Sequence, residues 1–209
     1  MIKQALLALT MTGAMASAQA AVVVNEGFDN VATLANMGWI LNNASTPVGA
    51  TGWFQGEQQQ FVSQRGAPES YIAANFANAA EGGVINNWLI TPEFSTASGA
   101  TVSFWLNAGV AEGYSDQIAF GFIDASGSMT TALLDSLVTV TSGAWTQYTA
   151  SIGYVPGSAR FAIQYTGLAD ASNYVGVDSL IVDVPEPSSI LILAAGMLGL
   201  GAARRRKQA

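Results

Sequence analysis

The sequence predicts an all-β fold, a jelly-roll-like two-sheet β-sandwich, on three observations. Apolar and polar residues alternate with a period of two in many short runs, turn-forming residues separate those runs, and no long helical period occurs before Ser188. Such alternation marks a half-buried strand. Many short strands with regular turns mark a sandwich or jelly roll.

The strands follow in chain order. Residues 22–28, 39–42, 71–75 and 88–90 open the series. Within 101–107, Val102, Phe104 and Leu106 share one face; within 117–123, Ile118, Phe120 and Phe122 do so. Residues 131–140 and 145–151 come next, then 160–166 with Phe161, Ile163 and Tyr165 on one face, and 174–184 closes the set. Ala125-Ser126-Gly127-Ser128, Thr141-Ser142-Gly143 and Pro156-Gly157-Ser158 are turn material, because Gly reaches positive φ and Ser and Pro favour turn geometry. Residues 43–66 are rich in Gly, Gln and Thr without clean alternation. They are expected to form long loops at one end of the sandwich, where sites tend to sit.

Both ends depart from this pattern. Lys3 provides a positive n-region and residues 5–15 an apolar h-region. Ala18-Gln19-Ala20 then reads as a small-residue cleavage site, with Ala16-Ser17-Ala18 as the alternative. Residues 1–20 are thus expected to be a signal peptide, removed on export. At the other end, Val184, Pro185, Glu186 and Pro187 precede an apolar stretch over 188–203 and the cationic cluster Arg204, Arg205, Arg206 and Lys207. Pro185 and Pro187 fix φ and lack N–H donors, so the segment around Glu186 is expected to stay extended and not to continue the preceding strand. Sixteen residues make about 24 Å of helix at 1.5 Å per residue, a marginal span of a hydrocarbon core about 30 Å thick. The cluster after it holds the C-terminus on the cytoplasmic side.

This tail resembles the PEP-CTERM sorting signal of Gram-negative bacteria. The resemblance implies an exosortase as processing partner, with Val184, Pro185, Glu186 and Pro187 as recognition residues. It also implies a membrane-anchored precursor in the inner membrane, cleaved near the motif, and delivery to the cell surface or extracellular matrix.

Residues 21–183 remain as one domain, of a size that can bury a core without staples. The chain contains no cysteine, so packing must hold it together outside the cell. Between Ala21 and Ser188 stand two basic residues, Arg65 and Arg160, against fourteen acidic ones, a formal −12. That surface repels nucleic acid, which requires clustered Lys and Arg against phosphates.

Absences narrow the chemistry further. Without histidine or cysteine, Ser–His–Asp triads, Cys–His nucleophiles and His- or Cys-ligated zinc are excluded. A Ser–Lys dyad lacks its lysine within the domain. Paired carboxylates, as in glycoside hydrolysis, are the common route left. The acids Glu57, Glu69, Glu81, Glu93, Glu112 and Asp116 are scattered without a motif and read as a solvated surface, so no catalytic residue is expected.

Five short stretches carry a second resemblance. Glu26-Gly27-Phe28, Met37-Gly38-Trp39, Asn86-Asn87-Trp88-Leu89-Ile90-Thr91-Pro92, Val102-Ser103-Phe104-Trp105 and Tyr174-Val175-Gly176-Val177-Asp178 are similar to the choice-of-anchor J family of exported β-sandwich domains. The similarity covers nearly the whole mature chain. Where related adhesin-type domains carry an acidic segment after the first Gly-Trp, this chain has Ile40-Leu41-Asn42-Asn43-Ala44-Ser45.

Two binding expectations follow. No cofactor is required, but a structural calcium ion is the candidate one: side-by-side first and last strands would bring Glu26 near Asp178, with Asp29 and carbonyl oxygens completing an oxygen shell. Trp53 and Tyr114, in loop segments, are the candidate platform for a carbohydrate, since exposed aromatic faces stack on sugar rings. Trp39, Trp88, Trp105 and Trp145 lie on or beside strands and are read as core or core cover. The expected role is structural or adhesive, in a biofilm or exopolysaccharide matrix. The alternative is a carbohydrate-binding module, and an acid-pair glycosidase is a remote third.

Overall fold

The computed structural model describes residues 20–129, 134 and 136–186. In chain order its strands are β1 (Ala20–Glu26), β2 (Ile40–Asn43), β3 (Thr46–Val48), β4 (Phe54–Gln55), β5 (Ile72–Asn75), β6 (Ala79–Ile90) and β7 (Phe94–Ser95). They continue with β8 (Ala100–Ala108), β9 (Gln117–Asp124), β10 (Ser136–Thr139), β11 (Thr146–Ile152), β12 (Ser158–Leu168) and β13 (Tyr174–Pro185). The helical segments among the described residues are 3-10 turns at Val31–Met37, Phe76–Asn78 and Ala169–Ala171. None is long and apolar enough to cross a membrane.

Two antiparallel sheets face each other. One runs β11-β8-β13-β5-β4 with β1 also on β13; the other runs β10-β9-β12-β6-β2 with β3 on β6 and β7 on β12. The expected two-sheet sandwich is the observed fold. Its core is the alternating set read from the sequence: Val102, Phe104 and Leu106 from β8 meet Ile118, Phe120, Phe161, Ile163 and Tyr165 from the facing sheet. Phe104 packs edge-on to Phe120 with centroids 5.1 Å apart and lies 5.5 Å from Phe161. Such aromatic pairs add roughly 0.5–1.5 kcal/mol beyond burial.

The outer faces are covered as well. Tyr71, Ala73 and Tyr174 on the outside of the first sheet pack with Phe54, Phe61 and Trp145. Trp88, Ile90, Ile123 and Ala162 do likewise on the second, under Ile40, Met129 and Leu134. This corrects the expectation for residues 43–66. Phe54–Gln55 is a strand, and Phe61 lies across the first sheet instead of standing at its end, stacked on Tyr71 at 5.0 Å. Gly176 permits this approach, because a Cβ there would meet Phe61 at 2.8 Å and Tyr71 at 2.9 Å.

β13 changes partner along its length. Tyr174–Val177 pair with β5, and Leu180–Pro185 pair with β1, with Glu26 opposite Leu180 and Ala20 opposite Pro185. First and last strands therefore lie side by side, as the sequence suggested. At the changeover the register to β8 shifts between Asp178 and Ile181, and Ser179 takes φ +49°.

Candidate functional site

The acidic corner sits at that changeover. Asp178 is fully buried. Its Oδ2 accepts the N–H groups of Gln64 at 2.7 Å and Arg65 at 3.1 Å, and its Oδ1 accepts Ser179 N–H at 2.5 Å. Burial pushes this carboxyl up to about 6, against the opposing pull of the N–H groups of Arg65, Gln64 and Ser179. Glu26 accepts Phe28 N–H at 2.7 Å. Its carboxyl is also raised, by burial first, with the nearby Asp29 charge adding to the effect. Phe28 is held at φ +54°, an uncommon backbone for a bulky residue.

The expected calcium shell is not assembled from these parts. Among the described residues, no three acidic side chains gather closely enough to hold a metal. Glu26 and Asp29 share a neighbourhood, while Asp178 turns its oxygens to the loop N–H groups of Gln64 and Arg65. The strand pairing that brought β1 to β13 places Leu180, not Asp178, opposite Glu26.

The carbohydrate pair is also divided. Trp53 is only 8 % exposed and belongs to the main core, so its ring is no platform. A glycine-flanked aromatic in a loop-like sequence carries no sign of which way it points; here the sheet interior takes it. Tyr114 is 50 % exposed and borders the smaller of two adjoining cavities that the sequence did not reveal.

The larger, about 720 Å³, is bordered by Val48, Phe76, Glu81, Ala169 and Asp170 among others. A second cavity of about 390 Å³ shares Phe76, Ala169 and Asp170 with it and adds Tyr114, Ser172 and Asn173. The wall is tightly built. Asn75 caps the Phe76–Asn78 turn, its Oδ1 accepting Ala77 N–H at 3.1 Å and Thr51 Oγ1 at 2.8 Å. Asn43 donates to the carbonyls of Thr51 and Asn78, both at 2.7 Å, and Asn87 donates to Asn78 Oδ1 at 2.8 Å. Gly49 lies so close that a Cβ would stand 2.1 Å from the Ala77 carbonyl oxygen. Phe76 N–H donates to Asn173 O at 2.9 Å, and Asp170 Oδ1 accepts Gly82 N–H at 3.0 Å.

Of the candidate catalytic acids, Glu57, Glu69, Glu81, Glu93 and Glu112 are exposed. Asp116 is buried and engaged by Tyr165 Oη, Asn173 N–H and Tyr174 N–H.

The sorting segment begins within the last strand of the sandwich. Val184 and Pro185 are the last residues of β13, paired with β1 through Ala21 and Ala20, so the strand runs one residue further than expected, into the first proline. Glu186 follows it. A family profile for the PEP-CTERM protein-sorting motif matches residues 183–207. The chain carries this sorting motif. It marks an exported, exosortase-targeted protein. Pro187, Arg204, Arg205, Arg206, Lys207 and the expected span over 188–203 lie outside the described residues, as does Ala18 of the expected leader.

Among solved structures, the domain upstream of the sorting motif is similar to the K1 cleaved adhesin domain of Lys-gingipain from Porphyromonas gingivalis W83. The identity is 19% and the TM-score 0.59, over 76% of this chain and 96% of that one. The K3 cleaved adhesin domain of the same protein matches at 18% identity and TM-score 0.52, over 78% and 99%. The CBM22-1 xylan-binding domain of Paenibacillus barcinonensis Xyn10C matches at 13% and 0.50, over 82% and 99%. At these identities the likeness is one of fold. Comparison with curated proteins by sequence gave no match.

Proposed function

We propose that this chain is a non-catalytic adhesive module, which exosortase processing of its tail delivers to the cell surface or the exopolysaccharide matrix. The observation that carries the reading is the junction at Pro185: a complete sandwich, Ala20–Pro185, ends where the matched sorting motif leaves the sheet. The folded unit is the cargo and the tail its address. The acidic, lysine-free domain fits a role outside the cell, repelling nucleic acid and staying soluble. The buried Asp116 and the exposed, unclustered glutamates support adhesion over acid-pair hydrolysis.

The test is mass spectrometry of the protein from a host with its exosortase, beside one lacking it. Recovery in the surface or matrix fraction with a new C-terminus near residue 186 is expected only in the first. Intact chain retained in the inner membrane of both would refute the reading. A carbohydrate-binding module is the second reading, favoured by Tyr114 bordering a preformed groove.

A further inference from the structure

We infer that the groove between Phe76 and Tyr114 binds an uncharged polysaccharide, with sugar rings stacked on the two aromatic faces and sugar hydroxyls donating to Asp170 and Glu81. This rests on the adhesive reading and supplies the ligand class which that reading leaves open.

Single exposed apolar side chains are ordinary on protein surfaces. Here two aromatic rings, Phe76 at 52 % and Tyr114 at 50 % exposure, border one concave surface. The small side chains of Ala77, Ala79, Ala80 and Ala169 line the space beside them. A cavity of about 720 Å³ lies within the range of small-molecule sites, roughly 300–1,000 Å³. Its continuation past Phe76 toward Tyr114 gives room for a chain of sugar units.

The backbone that carries both rings is hydrogen-bonded before any ligand arrives, which lowers the ordering cost of binding. Phe76 is tied through its own N–H to Asn173 and stands on the Asn75-capped turn. Tyr114 stands on a segment closed by Ser115 N–H to Ala171 O at 2.9 Å and by the buried Asp116. The backbone beneath both exposed rings is thus tied by hydrogen bonds.

Charge selects the ligand. Glu81 and Asp170 line the groove, and their oxygens accept from hydroxyl groups. Among the described residues, no cation lines the groove to meet a uronate, sulfate or phosphate. Arg160 is committed to the carbonyls of Ala125, Gly38 and Thr91. Arg65 stands in the 63–66 loop beside Asp178, and both lysines of the chain, Lys3 and Lys207, lie in the end segments. An anionic chain would meet the acidic surface without compensation.

The experiment is affinity electrophoresis of the full chain through gels containing xylan, β-glucan, mannan or galactan, with alginate as the anionic probe. Retardation by at least one neutral glycan is expected, with none by alginate. Phe76→Ala and Tyr114→Ala should each weaken it roughly tenfold, while Tyr154→Ala, an aromatic 69 % exposed and not among the groove residues, should leave it unchanged. Thermal melting of each variant, unchanged from the parent, confirms that folding is intact. Binding by alginate alone, retardation that survives both groove variants, or no retardation by any of the four neutral glycans overturns the inference. The two failures are distinguishable: cells that display the chain and adhere indifferently to added neutral glycan refute the ligand class and spare the adhesive role, whereas cells that display the chain and do not adhere refute the adhesive role itself.

Discussion

Asp116 Oδ1 accepts the phenolic O–H of Tyr165 at 2.5 Å, inside the sandwich and away from water. The same carboxylate takes the N–H groups of Asn173 at 2.9 Å and Tyr174 at 3.3 Å. One side chain thereby joins the approach to β9, the middle of β12 and the start of β13, and it fixes the segment that carries Tyr114. Burial and the adjoining carboxylate hold the Tyr165 hydroxyl protonated far above its ordinary range.

Removing the acceptor strands three donors. Asp116→Ala is expected to cost roughly 3–5 kcal/mol in urea unfolding, as for a broken buried polar network. Tyr165→Phe should cost about 1–2 kcal/mol, and the double variant less than the sum. Strict additivity would show that the two groups act independently.

Stability should depend on pH through Asp178. Its carboxyl stands near 6 in the folded protein against 3.8 as the ordinary value, so the folded state holds the proton more tightly. The contribution is complete below about 3.8 and is lost as pH rises through about 6. Its full size is on the order of 3 kcal/mol. Glu26 acts in the same direction. Unfolding in chelator between pH 7 and 5 should therefore show rising stability, and Asp178→Asn should flatten the rise. A profile unchanged by that substitution would remove Asp178 as its source.

Trp53 should behave as a core residue. Trp53→Ala is expected to cost about 3–5 kcal/mol through lost packing. Its indole N–H is buried without a hydrogen-bond partner among the described residues, so Trp53→Phe, which deletes that donor, should cost distinctly less. Calorimetric melting separates the two. Equal losses would mean that the indole nitrogen has a partner.

Gly176→Ala should displace the cover of the first sheet. The new methyl would sit 2.8 Å from Phe61 and 2.9 Å from Tyr71, closer than real contacts allow. A loss of roughly 1–3 kcal/mol is expected, with altered near-ultraviolet circular dichroism from Phe61, Tyr71 and Trp145. An unperturbed spectrum would place the 56–70 loop elsewhere in solution.

A chain ending at Glu186 should melt within a few degrees of the full chain, because β13 is intact. Ending at Ser179 removes the partner of β1 and the buried Leu180 and Val182, and no cooperative transition is expected. Cooperative melting of the shorter chain would show that β1 is dispensable.

The strands of the core were legible because alternation survives in one dimension: Val102, Phe104 and Leu106 can share a face only if 101–107 is extended. The sorting segment was legible for the same reason, since prolines, an apolar run and a basic cluster act through local chemistry. Other features left no local trace. β6 begins at Ala79, nine residues before the run read at 88–90, because Glu81, Gly82 and Gly83 carry no alternation. The groove escaped notice because Phe76, Tyr114 and Asp170 lie far apart in the chain, and only the asparagine-braced turns bring them together. The acidic corner was half visible. Neighbouring first and last strands were foreseeable, but the register set Glu26 opposite Leu180 and turned Asp178 toward Gln64 and Arg65.

By itself, then, the chain determined its class, its core faces and its sorting tail, each encoded in the period or chemistry of neighbouring residues. Which tryptophan is buried, where the carboxylates point and what forms a groove were decided by tertiary structure. Burial and direction depend on partners distant in sequence, and strand register alone selects them.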